Sequence, residues 1–398
     1  MTASLNISSY REASVCEVTV KSLLILLAGK SMRARAFLTT AKLIHREGCI
    51  MTLFVLSSVM PLNFTGCNRG GSQPSRAELT NPDSKNISQF RNVSPSGPDS
   101  IWVVTVSGEL LQISKQGEHR KANIESGAVS VVTFIDSVHG WVADRKSRVW
   151  STSDEGNSWQ LVSASPEKDK DFYLPQQLIF VDELHGWLVG ISMVWRTADG
   201  GRTWQERFSV GSNSEERIGR LYRGAFVGPE SGWLASSGGV VIQTNDGGTS
   251  WKTLTPVSER MDLHDVFFSD EKTGWLIGRP DGGIYSTKDS GKTWRGQFTA
   301  VEGTYLNSVH FVNRNEGWAV GLTVKNQDRE GLVLHSLDGG DKWAQVSTNM
   351  KERFFDRVAF YDQHHGWLIA RDDIYYTDDG GQTFRTVLKL PPVKNGSE

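Results

Sequence analysis

The sequence predicts an all-β protein, a seven-bladed β-propeller with four strands in each blade. The main observation is an eight-residue phrase, Thr/Ser-x-Asp-x-Gly-x-Thr/Ser-Trp, which occurs six times with small variations. The copies are TSDEGNSW (152–159), TADGGRTW (197–204), TNDGGTSW (244–251), TKDSGKTW (287–294), SLDGGDKW (336–343) and TDDGGQTF (377–384). Their last residues lie 41 to 49 positions apart. Such a period, with turn-forming residues in every unit, is typical of a closed array of small sheets.

A Gly-Trp pair precedes each copy of the phrase and gives the repeat a second anchor. Its tryptophans are Trp141, Trp187, Trp233, Trp275, Trp318 and Trp367. Seven residues earlier stands a phenylalanine, at Phe134, Phe180, Phe226, Phe268, Phe311 and Phe360. A turn-forming residue lies between the two, at Asp136, Asp182, Gly228, Asp270, Asn313 and Asp362. Each unit therefore contains an apolar strand, a turn, a strand opened by Gly-Trp, a third strand, and a fourth strand after the Asp-Gly turn.

A seventh blade without the phrase is predicted at 88–127. Asp99-Ser100-Ile101-Trp102 aligns with Glu230-Ser231-Gly232-Trp233, and Phe90 to Ser94 can supply the innermost strand. With this blade, each of the 14 tryptophans has a position in the repeat. A six-bladed ring is the alternative. The predicted organisation is a leader at 1–67, a linker at 68–87, the propeller at 88–392 and a tail at 393–398.

The chemistry of the phrase indicates a structural turn. Its Asp can accept hydrogen bonds from the backbone of its own turn, its Gly permits a positive φ, and its Trp buries a large ring. The phrase resembles the Asp-box, or BNR, repeat of sialidases, sortilin-type receptors and a photosynthetic assembly-factor family, in which it is a hairpin away from the ligand face. The resemblance implies a structural role for Asp154, Asp199, Asp246, Asp289, Asp338 and Asp379.

The N-terminal region predicts export and lipid attachment. Residues 49–62 form an apolar run that is too short to span a bilayer but suits the core of a signal peptide. Phe64-Thr65-Gly66-Cys67 follows and resembles a bacterial lipobox, although Phe64 replaces the usual Leu. We expect lipid attachment at Cys67, a start near Met32, and an extracytoplasmic protein on a bacterial membrane; an ordinary signal peptide is the alternative.

The sequence predicts no nucleic-acid, metal or cofactor binding. The net charge is −2, without a basic footprint. The three cysteines, Cys16, Cys49 and Cys67, all precede the repeats. His139, His185 and His365 each stand before the Gly of a Gly-Trp pair on separate blades, which indicates a turn position. His264 and His310 lie near or within first strands, where they could face the central channel or serve packing.

The predicted working surface is the face opposite the Asp-boxes. Loops joining strand four to the next strand one, and strand two to strand three, share that face and mix arginines with aromatics. This composition is typical of interface hot spots and of anion or sugar sites. The candidate partner-binding residues are Arg217, Arg220, Tyr222, Arg223, Arg260, Arg279, Tyr305, Arg353, Arg357 and Arg371.

Two functions remain open at this point: a binding protein and a glycoside hydrolase. A sialidase-like enzyme would need an acid, a base and a nucleophile, and no such set can be named here. The Phe90-Arg91-Asn92-Val93 segment departs from the sialidase Phe/Tyr-Arg-Ile-Pro phrase at its last two positions, and the longest insertion is a short loop at 325–331. We therefore expect no catalytic residues.

Compact boxed blades behind a lipobox resemble the photosystem II stability/assembly-factor family of cyanobacteria and chloroplasts. That resemblance covers about 88–390 and rests on the repeat architecture. It implies a seven-bladed, non-enzymatic scaffold that docks a membrane-protein client, or recognises a cell-surface ligand, and is tethered to the membrane by its N-terminal lipid. A closed ring leaves few free strand edges, so we expect a monomer.

Overall fold

The computed structural model describes residues 90–125, 127–164, 175–211, 218–254, 257, 261–279, 282–298, 303–346, 350 and 354–389. The predicted leader with Cys67, the linker and the tail lie outside these residues. No helix within these ranges is long and apolar enough to cross a membrane.

The described chain forms seven four-stranded antiparallel sheets, each made of four consecutive strands. The first blade comprises β1 (Phe90–Gly97), β2 (Ser100–Thr105), β3 (Leu110–Ser114) and β4 (His119–Lys121). The second comprises β5 (Val129–Phe134), β6 (Gly140–Asp144), β7 (Val149–Thr152) and β8 (Gln160–Ser163). The third comprises β9 (Gln177–Phe180), β10 (Gly186–Val189), β11 (Met193–Thr197) and β12 (Gln205–Ser209).

The remaining four blades repeat this plan. The fourth contains β13 (Leu221–Val227), β14 (Ser231–Ser236), β15 (Val241–Thr244) and β16 (Lys252–Thr253), with a 3₁₀ turn at Ser237–Gly239. The fifth contains β17 (Asp262–Phe268), β18 (Gly274–Arg279), β19 (Ile284–Thr287) and β20 (Arg295–Phe298). The sixth contains β21 (Thr304–Phe311), β22 (Gly317–Lys325), β23 (Asp328–Ser336) and β24 (Ala344–Gln345). The seventh contains β25 (Phe355–Phe360), β26 (Gly366–Ala370), β27 (Asp373–Thr377) and β28 (Arg385–Lys389).

The predicted all-β, seven-bladed propeller is confirmed, and the six-bladed alternative is wrong. The box-less first blade is a complete sheet with the order β1-β2-β3-β4. The predicted loop at 325–331 is also wrong, because these residues extend a hairpin. β22 and β23 pair as far as Lys325 opposite Asp328, around a turn at Asn326-Gln327.

Aromatic pairs join each of the first six blades to the following blade. The Gly-Trp tryptophan of one blade stacks on the first-strand phenylalanine of the following blade, as Trp233 does on Phe268 at 3.6 Å between ring centroids and Trp275 on Phe311 at 3.5 Å. The Trp275 indole also donates a hydrogen bond to the Gly339 carbonyl in the next blade's box, at 2.8 Å. The repeat therefore encodes the interfaces between blades as well as the blades themselves.

The interface between blades seven and one differs from the others. Pro95 occupies the position that holds phenylalanine in the other six blades. Trp367 instead contacts Tyr376 of its own blade edge-on at 4.8 Å, within a cluster that includes Phe90 and Ile101 of blade one. In the described residues no strand is exchanged between the first and last blades. Side-chain packing therefore closes the ring.

Polar side chains tie neighbouring first strands together around the channel. The Asn92 amide oxygen accepts a hydrogen bond from the Val132 backbone N–H at 2.8 Å, and the Gln177 amide oxygen accepts one from the Gly224 N–H at 2.9 Å. First strands of different blades belong to separate sheets, so these side chains replace the missing ladder hydrogen bonds.

Candidate partner-binding site at the channel mouth

The boxed aspartates are fully engaged in their own turns. Asp379 accepts hydrogen bonds from the Thr377 hydroxyl at 2.8 Å, the Thr383 backbone N–H at 2.9 Å and the Thr383 hydroxyl at 2.6 Å. Matching bonds in the second blade, led by the Ser158 hydroxyl, lower the pKa of Asp154 to about 2. These hydrogen bonds stabilise the turn between the third and fourth strands of the blade.

The three histidines that precede a Gly-Trp pair also make their polar contacts within their own turns. The Nδ1 atoms of His139, His185 and His365 lie 2.8 to 2.9 Å from carboxylate oxygens of Asp136, Asp182 and Asp362, each in its own turn. Within the described ranges, no group of three or more His, Cys, Asp or Glu residues is arranged to hold a metal ion.

A β-bulge at the start of most first strands builds the mouth of the channel. In blades one, two, four, five, six and seven the pairing register skips one residue near the start of the first strand. The skipped residues are Arg91, Ser130, Tyr222, His264, Asn307 and Asp356. A bulged residue lies outside the regular alternation, so its side chain can be re-aimed.

Five of the six bulged residues line one cavity of about 240 Å³ at the mouth. Its lining is Arg91, Pro175, Gln176, Tyr222, Arg223, His264, Arg279, Asn307, Asp356 and Arg357. A second cavity of about 300 Å³ lies between the first strands and includes Arg223, Asp265, His310 and Arg357. His264 lines the first cavity and His310 the second, and both also pack against neighbouring blades. Burial lowers the pKa of His310 to about 4, against a hydrogen bond to the Phe360 backbone, so this imidazole is neutral near pH 7.

The four arginines of the mouth are half-buried and mostly lack hydrogen-bond acceptors. Among the described residues, the guanidinium groups of Arg91, Arg223 and Arg357 have no hydrogen bond or ion pair. Arg279 donates to the side-chain oxygen of Asn307, yet its Nε, like that of Arg357, is buried without a partner in the described chain. Each guanidinium carries five N–H donors, so the mouth presents donors in excess.

Two carboxyl groups lie among these arginines. Burial raises the pKa of Asp356 to about 6, the charges of Arg223 and Arg279 oppose this rise, and the charge of Asp265 adds to it. Burial also raises the pKa of Asp265, against the Arg223 charge and hydrogen bonds that include the Val309 N–H at 3.2 Å. Four cationic groups therefore face two carboxyl groups whose pKa values are raised.

An aromatic wall borders the mouth. The rings of Tyr222 and His264 stack with centroids 4.9 Å apart, and the Tyr222 hydroxyl donates to Asp262 at 3.4 Å. The Arg220 guanidinium lies over the Tyr222 ring at 5.7 Å. Burial and the Asp262 charge raise the pKa of Tyr222, so the phenol stays protonated.

The structure brings some of the predicted binding residues together and separates others. Tyr222, Arg223, Arg279 and Arg357 line the mouth, and Arg220 flanks it. Tyr305 and Arg371 lie outside the linings of both cavities, and Arg371 has Asp372 at 3.8 Å. Arg217, Arg260 and Arg353 fall outside the described residues. Sequence reasoning missed Arg91, Asn307 and Asp356, whose signal is a polar residue that interrupts the apolar start of a first strand.

Comparisons with known proteins agree with this architecture. A family model described as "Photosynthesis system II assembly factor YCF48" matches residues 174–262 and 254–353. The photosystem II assembly lipoprotein Ycf48 of Synechococcus sp. (strain CC9902) is 30% identical over 124 residues, which cover 30% of this chain and 35% of that protein. The chain resembles the photosystem II assembly factors.

The assembly factor HCF136 of Oryza sativa subsp. japonica is 28% identical over 107 residues, which cover 26% of this chain and 25% of that protein. The matches therefore span about a quarter to a third of these curated relatives. A solved structure of YCF48 bound to a D1 peptide has a TM-score of 0.56 at 20% identity, covering 72% of this chain and 91% of that one.

A Niastella koreensis GH74 enzyme shares the architecture with a TM-score of 0.58 at 14% identity, covering 76% of this chain and 55% of that one. At such identities the structural likeness shows the fold alone, and the fold supports both binding proteins and enzymes.

Proposed function

We propose that this protein is an extracytoplasmic, lipid-anchored, non-enzymatic propeller that binds a membrane-protein client at the channel mouth. The observation that carries the proposal is the cluster of four half-buried arginines with unused donors, bordered by an aromatic wall. Arginine beside aromatic rings is the composition of interface hot spots. The resemblance to photosystem II assembly factors supports the choice of client class.

The path of the chain limits how far the mouth could lie from a lipid anchor. Arg91, the second residue of β1, lines the mouth, so the chain enters the propeller at this face. If Cys67 carries lipid, the segment from Cys67 to Phe90 can reach at most about 80 Å. The tether would then hold the mouth within reach of proteins in the same membrane.

The client proposal is tested by crosslinking the full-length, membrane-anchored protein in its own host and identifying the captured membrane proteins. Arg223→Glu and Arg357→Glu should each abolish recovery of the captured client. Arg295→Glu, on the exposed outer strand β20, is the matched charge reversal and should leave recovery unchanged. Equal recovery with all three variants would overturn the assignment of the mouth.

The anchor has its own test. Cys67→Ser should move the protein from the membrane fraction to the soluble fraction, or leave it unprocessed. A variant that stays membrane-bound after normal processing would contradict lipid attachment at this residue.

A glycoside hydrolase is the second candidate, because Asp265 and Asp356 are coupled carboxyls at a channel mouth and a GH74 enzyme has the same fold. Hydrolysis of fluorogenic sialosides or β-glycosides by the purified protein, abolished by Asp356→Asn, would replace the binding proposal. We expect no turnover.

A further inference from the structure

Among the described residues that line the mouth and the cavity below it, four arginines outnumber two carboxyl groups, while Asp262 lies at the border beside Tyr222. Arg91, Arg223, Arg279 and Arg357 face only Asp356 and the deeper Asp265 among the described residues of the two cavities. Half-buried guanidinium groups that lack acceptors carry a desolvation penalty, which an entering anion would relieve. Burial, and to a smaller extent the charge of Arg145, lowers the pKa of Arg91.

Asp356 occupies the place that an anionic ligand would take. Its carboxyl has no hydrogen bond or ion pair with another described residue, yet it lies within the fields of Arg223 and Arg279. As a bulged residue it is held in the mouth by the pairing of Phe355 with Ala370 and of Arg357 with Ile369. Within the described chain it is therefore an internal counter-ion that no hydrogen bond or ion pair fixes.

We propose that the mouth binds one compact anionic group, a carboxylate or an inorganic oxyanion, against Arg223, Arg279 and Arg357, and that Asp356 takes up a proton as the anion enters. This inference rests on the proposed function only in its choice of site. A second negative charge beside Asp356 disfavours the ionised carboxyl, so binding and protonation are linked.

The groups around Asp356 set the sign of the linkage. Four arginines face it: Arg223 from β13, Arg279 from β18, Arg91 from β1 and Arg357 from its own strand. Asp265 and His264 face it from β17. Tyr222 from β13 and Asn307 from β21 complete the surroundings. With the pKa of Asp356 at about 6, the carboxyl is protonated below that value and the anion enters without repulsion. Above it, binding must first draw a proton, so affinity falls by up to about tenfold per pH unit.

Sodium sulfate is the probe for the inorganic source, since sulfate stays divalent over the relevant range. Titration calorimetry of the full-length protein at about pH 5.5 and about pH 7.5 should show binding up to about 25-fold weaker at the higher pH. Buffers of different ionisation enthalpy should report uptake of up to about one proton per ion at the higher pH. A short acetylated, amidated peptide with one Glu, compared with its Gln counterpart, tests the carboxylate source in the same way.

Asp356→Asn should bind sulfate with the affinity that the unmodified protein shows at low pH, and without pH dependence or proton uptake. Asp328→Asn, on the exposed hairpin turn of β22 and β23, is the matched control and should retain both. Arg357→Gln should weaken binding at least about tenfold, and Arg357→Lys should restore part of it. Melting curves of each variant confirm folding.

The binding of the two probes and the recovery of the client test the anion site and the proposed function independently. If sulfate or the Glu peptide binds with proton uptake but no client is recovered, the anion site stands and the client proposal fails. If the client is lost with Arg223→Glu but neither probe binds, or Asp356→Asn keeps the pH dependence, the inference is overturned while the client proposal stands. Sulfate binding that is indifferent to Arg357→Gln would indicate an adventitious ion only.

Discussion

At the scale of single residues, the repeat separates two kinds of carboxylate. The boxed Asp379 receives three hydrogen bonds inside its turn, whereas Asp356 at the mouth receives none from the described residues. Burial opposes ionisation of Asp379, but the bonds from Thr383 and Thr377 outweigh it and lower its pKa. The pKa of Asp356 moves the other way. The hydrogen-bond environment, not the residue type, therefore distinguishes the structural acids from the candidate functional one.

Asp379→Asn should lower the free energy of unfolding by about 1–2 kcal/mol near neutral pH, because an amide nitrogen would meet an N–H or O–H donor. Since the folded pKa lies below the unfolded one, this stabilisation is present above about pH 4 and is lost as the pH falls through the folded value. Urea unfolding of the unmodified protein and of Asp379→Asn at several pH values measures the difference between their free energies of unfolding. This difference should become smaller in acid.

The adjacent Asp378 provides the control for that measurement. It is exposed and lies 3.8 Å from Arg385, so Asp378→Asn should change the free energy of unfolding by less than about 0.5 kcal/mol. Equal losses for the two variants would mean that net charge, rather than the turn, sets the effect.

At the scale of elements, the extended hairpin is the main departure from the repeat. β22 and β23 continue past their usual length to a two-residue turn in which Asn326 has φ 51° and Gln327 has φ 71°. Two positive φ values match the tight turn that suits the right-handed twist of a hairpin, and Asn-Gly is its preferred sequence. Gln327 is therefore the strained residue of the pair.

Gln327→Gly should stabilise the protein modestly. Relief of the left-handed backbone gains about 1–2 kcal/mol, and the extra freedom of glycine in the unfolded chain removes about 0.5–1 kcal/mol. The expected net gain is about 0.5–1 kcal/mol in denaturant unfolding. Gln327→Ala keeps the backbone strain and should give no gain; a gain with alanine would contradict the argument.

The repeat positions could be predicted from the sequence, whereas the bulges in the first strands could not. The Phe, Gly-Trp and boxed positions recur at fixed spacing, so the strand order and the boxed turns could be predicted from pattern alone. The mouth could be predicted only in part, because a bulge shifts strand alternation by one residue and no spacing rule announces it. Arg223 and Arg357 were expected for their composition, while Arg91 and Asp356, which the bulges aim inward, were not.

At the scale of the whole molecule, closure of the ring depends on the fit between blades seven and one. Gly117 has φ 86°, and a Cβ there would lie 2.3 Å from the Val387 carbonyl oxygen across that interface. The Arg385 guanidinium also donates to the Lys115 carbonyl from the seventh blade. Backbone therefore meets backbone at the one interface without a Trp–Phe stack between blades in the described chain.

Gly117→Ala should destabilise the protein by more than about 2 kcal/mol, through the positive φ and the collision with Val387. Gly211→Ala is the matched control, since Gly211 has a similar φ of 85° but nothing within 4 Å of the added Cβ. The control should lose only about 1 kcal/mol, the cost of the left-handed backbone. Equal losses in thermal unfolding would show that the fit between the two blades contributes nothing.

Pro95, where six other blades have phenylalanine, gives the ring a seam, and the mouth lies across it. Arg91 belongs to the first blade and Arg357 to the last, and both face the same cavity. An occupant held by both would bridge the first and last blades. Any ligand that binds there would raise the melting temperature by mass action, so occupancy of the mouth and the stability of the closed ring would be linked.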